Sequence, residues 1–197
     1  PKQSGERRVE GEFPAQPILM LGFHVPERNH PDTPALKVLS EVAASGRSSR
    51  FYTALVKTSK AQSASAWIGP GERYPRLWIA SAEPSENCTL ESVEADLLAE
   101  IERLKTIPPN EDELKRIIAG YRMDVLKNLK RNMSLAIELA DAEALAGDWR
   151  MLFREIEAIS AVKPEQVTAA ASKYLLKSNR TVARLVSTEA PETPQVL

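Results

Sequence analysis

The apolar positions of this chain change period several times, and each change marks an element. Over residues 6–13, Arg7, Val9, Gly11 and Phe13 alternate with charged residues, which predicts an exposed or edge strand. Pro14 and Pro17 interrupt it, as prolines do at strand ends. Residues 17–25 (PILMLGFHV) form a compact apolar run ended by Pro26, which reads as a central strand. The period then lengthens. Leu36, Leu39, Val42 and Ala43 recur at helical spacing, with Asp32 placed to cap the helix and Pro34 in its first turn. Gly46 breaks the pattern, and Ser48–Ser49 can cap a second helix carrying Phe51, Tyr52, Leu55 and Val56. From Ala61 the period falls to two, with Ala61, Ser63, Ser65 and Trp67 expected on one side of a strand.

The turn signal of residues 69–75 (GPGERYP) and the run of residues 76–82 (RLWIASA) predict a hairpin. Leu90, Val93, Leu97, Ile101 and Leu104 then fall three and four apart, an amphipathic helix that Asn87 or Thr89 can cap. Pro108–Pro109 ends it, and Asn110 with Glu113 makes a capping box for the next helix. Its stripe is Leu114, Ile117, Ile118, Tyr121, Val125 and Leu129. A break near Asn132 and Ser134 leads to an alanine-rich helix ending at Gly147, followed by a short helix over residues 150–159 and another opened by Pro164. Residues 181–187 (TVARLVS) predict a last strand. Hairpins followed by runs of helices favour an α+β fold, an antiparallel or mixed β-sheet covered by helices. Residues 1–188 are expected to form a single domain, and residues 189–197 a loose tail.

Composition narrows the function classes. The formal net charge of −1 gives no global attraction to nucleic acid or to an anionic surface, so no nucleic-acid partner is expected. No apolar run reaches the length of a membrane-spanning helix, so no membrane insertion is expected. Cys88 is the single cysteine and cannot form an internal disulfide. The start of the chain has no apolar core of a signal peptide and no Met, which fits an excised fragment or a mature product. The compartment stays open; periplasm or cell envelope suits a bacterial parent.

The segment PALKVLSEV…GRSSRFYTALV closely resembles the second repeat in each half of the pitrilysin (insulinase-type) zinc metallopeptidases. There a helix of the pattern D-x-x-A-L-x-V-L is followed by G-x-S-S-R-L-Y-x-x-L. The match in type, order and spacing extends over most of residues 5–187. It implies an open sheet backed by helices, as in the mitochondrial processing peptidase subunits, and it implies a piece of a peptidase.

The chemistry of that family is missing here. Its zinc is held by an inverted His-x-x-Glu-His motif whose helical spacing puts both imidazoles on one face, with the carboxylate activating the bound water. This chain has only His24 and His30, flanking Pro26, so no metal ligand and no catalytic residue is expected in it. The family's second-half Arg and the Tyr seven residues later, which orient the substrate carbonyl, fall on Val56 and Ser63. The resemblance therefore implies a non-catalytic C-terminal domain of a zinc metalloendopeptidase. It would form part of a peptide-enclosing chamber and pack on a zinc-bearing N-terminal half, with zinc in that half and an Arg–Tyr pair from elsewhere, such as a second subunit. The alternative is an architectural core-type subunit of the same fold. Within the chain, Arg47, Ser48, Ser49 and Arg50 are the candidates for contact with an anion or a peptide carboxylate at a helix N-terminus. Lys127, Lys130 and Arg131 read as a solvated helix end, and Glu111, Asp112 and Glu113 as first-turn acids rather than an acid/base pair.

Overall fold

In the computed structural model, residues 3–71 and 73–188 are described. They form an α+β fold in which a five-stranded mixed sheet carries six helices. The strands are β1 (Arg7–Phe13), β2 (Ile18–Val25), β3 (Ala61–Gly69), β4 (Arg76–Pro84) and β5 (Arg180–Ser187), in the spatial order β1-β5-β2-β4-β3. The last strand thus enters between the first two. It runs parallel to β1 and antiparallel to β2, while β2–β4 and β4–β3 are antiparallel. As the alternation of β1 predicts, that strand lies at the sheet edge, exposed along its whole length. The apolar run of β2 takes the centre.

The helices are α1 (Thr33–Ala44), α2 (Leu90–Thr106), α3 (Glu111–Leu129), α4 (Asn132–Ala146), α5 (Met151–Ser160) and α6 (Pro164–Tyr174). Leu19, Leu21, Phe23 and Val25 of β2 and Trp78 and Ala80 of β4 point into one core with Leu36 and Leu39 of α1, Leu97 and Ile101 of α2, and Val167 of α6. Trp78 meets Phe23 and Phe51 with ring centroids 6.0 and 6.5 Å apart. Aromatic pairs at such separations add to the stabilisation from burial alone.

Two predicted caps form: the Thr89 side chain accepts from the Ser92 amide at 3.2 Å, and Asn110 accepts from the Glu113 amide at 2.8 Å. Gly147 closes α4 at φ +69°, a left-handed geometry that favours glycine. Other local expectations are corrected. Asp32 precedes α1 without capping it; its carboxylate instead accepts from Lys173 and from Tyr174, both at 2.6 Å, and ties α1 to the end of α6. The second helix predicted after Gly46 does form, over residues 50–56, but it is short, its last residues Tyr52–Val56 are π-helical, and no serine side chain caps the π-helical segment. A bulge between Ala61 and Ser63 puts these two on opposite faces, Ala61 against Pro84 in the core and Ser63 against Glu83 outside. The stripe of α3 is buried only at Leu114 and Ile117, because its second half extends beyond the core with α4 as its neighbour. The tail assigned to residues 189–197 lies outside the described residues.

Candidate functional site

The segment Gly46–Arg50 turns the chain between α1 and the π-helical turn. Gly46 sits at φ +74°, where a side chain would be strained. This turn folds Ser49 inward. Its hydroxyl donates to the Gly46 carbonyl at 2.8 Å, and it is buried, so it closes its own turn rather than facing a ligand. Arg50 reaches across to α2 and donates to the Ile107 carbonyl at 2.7 Å, satisfying an acceptor at that helix end, with Glu113 at 3.9 Å. Burial lowers the pKa of its guanidinium, opposed by Glu113 and Glu100. Arg47 and Ser48 remain exposed.

Beside this turn lies an open cleft of about 810 Å³ between the ends of α2 and α3, lined by Ser48, Arg50, Thr53, Arg103, Glu113 and Arg116, among others. A second cleft of about 300 Å³ continues along α3 past Glu41, Gly46, Gly120, Tyr121 and Asp124, sharing Ser48 and Arg116 with the first. The structure thus brings Ser48 and Arg50 to one cleft and keeps Ser49 out of it. Their surroundings mix both signs of charge, and several acids (Glu100, Glu111, Asp112, Glu113) face the arginines.

Next to the second cleft, Glu155 of α5 is nearly enclosed. It pairs with Lys37 of α1, accepts from Arg28 at 3.1 and 3.2 Å, and accepts from the Tyr121 hydroxyl at 2.9 Å. Burial would raise its pKa, but Lys37, Arg28 and Tyr121 outweigh that and lower it. Tyr121 is shifted the other way, upward, by its own burial and by the charge of Glu155. Sequence reasoning missed this cluster. Its members lie far apart along the chain, and Tyr121 reads as one more residue of an apolar stripe.

The histidines have local roles. The His24 ring lies 3.2 Å from the Gln3 side chain, and His30 Nδ1 accepts from the Asp32 amide at 3.1 Å. Among the described residues no group of three or more His, Cys, Asp or Glu could hold a metal ion. Val56 ends the π-helical turn and Ser63 follows the bulge in β3; an isopropyl group and a short hydroxyl there present neither a cation nor a phenol.

The model of the peptidase M16 inactive domain matches residues 1–121. The chain belongs to that family. The zinc protease PqqE of Helicobacter pylori is 29% identical over 145 residues, which are 72% of this chain and 32% of that protein. The inactive peptidase domain of a Bordetella parapertussis protein assigned as a zinc protease superposes with a TM-score of 0.81 at 26% identity, covering 92% of this chain and 96% of that one. A protease structure from H. pylori has a TM-score of 0.87 at 24% identity over 94% of this chain and 45% of that chain, a likeness of fold. This M16 inactive domain therefore spans about a third of the curated relative and under half of that solved protease. Its described residues do not converge on a zinc site: the two histidines lie on a strand and in a loop, on different local partners.

Proposed function

We propose that this domain is the non-catalytic half of a zinc metalloendopeptidase. It walls part of the chamber around a peptide substrate and packs on the half that holds zinc. The observation that carries the reading is the family match itself, to an inactive domain, in a chain whose described residues offer no metal-ligand group. Zinc in the other half supplies a Lewis acid and an activated water. The contribution of this domain is confinement and positioning of the peptide. Exposed Arg47 and Ser48, with Arg50 at the cleft wall, are the residues assigned to peptide contact, through a carboxylate or a backbone carbonyl. The Arg–Tyr pair that this chain lacks at Val56 and Ser63 comes from the other half or from a second subunit.

The test is cleavage of a quenched fluorogenic peptide by this domain alone, by the zinc-bearing half alone and by the two mixed. Activity only in the mixture, abolished by a chelator, supports the reading. Chelator-sensitive activity of this domain alone overturns it. A mixture that stays silent even with an Arg–Tyr-bearing subunit present favours the architectural alternative.

A further inference from the structure

We propose, independently of the peptidase reading, that β1 is an exchangeable strand, and that the β5 edge it covers is a docking surface for β1 of a second copy of this chain. β5 is the last strand in sequence, yet it lies between β1 and β2. Register pairs from Arg7 with Thr181 to Phe13 with Ser187 join β1 to β5 across nearly the whole chain. β1 therefore has no ladder partner until β5 is in place, and contacts so distant in sequence form late. At that moment the edge of β5 is open to the β1 of either copy.

The attachments of β1 are of a kind that releases. None of its residues is buried, so its departure removes no side chain from the core. Just before it, the Gln3 amide donates to the Arg180 carbonyl at 2.7 Å. The remaining ties are ionic. Glu6 pairs with Arg180 of β5, and Arg8 pairs with Glu6 at 2.7 Å and with Glu94 of α2 at 2.6 Å. Arg184 of β5 faces the same group, 4.0 Å from Glu10 and 2.8 Å from Glu91, and also pairs with Glu94. Arg7 and Glu12 stand exposed on the strand. Once β1 lifts, β5 presents an unpaired edge, and such an edge is a template for another strand. The strand that fits it is β1 itself. Only that sequence in that register brings a cation to Glu94 and an anion to Arg180 together.

The hinge suits exchange. Four residues, Pro14, Ala15, Gln16 and Pro17, carry the chain past the end of β5, where the Thr188 amide donates to the Phe13 carbonyl at 3.2 Å. The Ala15 amide donates to the same carbonyl at 2.8 Å and holds the hinge bent. Both prolines lack an amide donor, and each biases the residue before it toward extended backbone. The hinge is thus predisposed to straighten. Exchange of an identical element across it gives a dimer with the contacts of two monomers.

A domain of this kind has been solved as a separate chain from B. parapertussis, so this domain is testable on its own. Val9 and Ala183 are register partners, and Val9 is exposed. Two single-cysteine chains, Val9→Cys with Cys88→Ser and Ala183→Cys with Cys88→Ser, are checked for folding by circular dichroism and mixed in equal amounts. The mixture is held at about pH 4, where carboxylates begin to protonate, then neutralised and oxidised. Exchange holds the two thiols in one ladder at high effective concentration. A covalent heterodimer about tenfold or more in excess of either homodimer is expected. Val9→Cys mixed instead with Lys115→Cys, exposed on α3, should give no such excess. A Val9–Ala183 heterodimer no more abundant than this control overturns the proposal. Hinge deletion gives a second reading. Without residues 14–16, Pro17 alone links the strands and spans about 7 Å, less than the roughly 9–10 Å across β5. β1 can then pair only with β5 of a second copy, and light scattering should find a dimer. A folded monomer overturns exchange.

Discussion

The Tyr121 hydroxyl on α3 donates to the Glu155 carboxylate on α5 at 2.9 Å, and that carboxylate also holds Lys37 of α1 and Arg28 of the preceding loop. One enclosed anion thus joins three helices beside the second cleft. Removing its charge takes from Lys37 the carboxylate it pairs with and from Arg28 one of its partners, in a largely enclosed setting. Glu155→Gln is expected to destabilise the domain by about 3 kcal/mol, the low end of the range for breaking one side of a buried pair. Urea unfolding at neutral pH measures this, and a loss within error of zero would refute the assignment. The pH dependence has a defined sign. The folded pKa of Glu155 is lowered, so its contribution is present above the ordinary carboxylate range and is lost as pH falls through the folded value.

The edge strand β1 is held differently. Its side chains are exposed, and its attachments besides the ladder to β5 are ionic: Arg8 to Glu94 at 2.6 Å, and Glu6 to Arg180. Arg184 of β5 shares Glu94, so one carboxylate on α2 fastens both strands. Burial would raise the pKa values of Glu94 and Glu6, but their arginine partners prevail and lower both. Stability from these pairs is therefore full above the unfolded carboxylate value and fades as pH drops through the lowered folded values. Acidification below about pH 4 is expected to release β1 before the core unfolds. Methyl resonances of Val9 that shift before those of Leu21 and Val182 would show it. Simultaneous loss of all three would sink the idea.

Much of the fold was legible because local patterns and tertiary structure agree. The alternation of β1, the apolar run of β2, the stripe of α2 and the caps at Thr89 and Asn110 each depend on residues close in sequence. What stayed hidden depends on long-range geometry. Nothing near Asp32 announces that Lys173 and Tyr174 will claim its carboxylate, or that Arg50 will cross to the end of α2. The bulge that parts Ala61 from Ser63 is set by pairing with β4, so a regular period of two misassigns the face of Ala61. At the candidate site, the turn itself was legible in the Gly-Arg-Ser-Ser-Arg segment, but the inward fold of Ser49 was not.

The α4 terminus offers a backbone test. Gly147 lies at φ +69°, and its amide donates to the Glu143 carbonyl at 2.8 Å. A β-carbon there would meet no neighbouring atom within 4 Å, so the cost of Gly147→Ala is conformational alone. A loss of roughly 1–2 kcal/mol is expected. Gly120→Ala, in the helical interior of α3 with equally open surroundings, should instead stabilise by about 0.5–1 kcal/mol. Thermal unfolding of the two variants side by side separates these effects, and a Gly147→Ala variant as stable as the parent would exclude the left-handed cap.

Zinc itself provides the last check on the division of labour. A metal that binds the folded state and not the unfolded one raises stability by about 2.7 kcal/mol at a hundredfold excess over its dissociation constant. A site of that quality needs three or four ligands converging on one point. Here His24 projects from the exposed side of β2 toward Gln3, while His30 turns its Nδ1 to the Asp32 amide before α1, and no described Asp, Glu or Cys completes a group of three with them. The melting temperature of this domain is therefore expected to be the same in zinc and in chelator. In the zinc-bearing half, or in the two halves mixed, zinc should raise it. A saturable increase for this domain alone at one equivalent, lost in His24→Ala, would place a metal site in this half and end its assignment as the half without one.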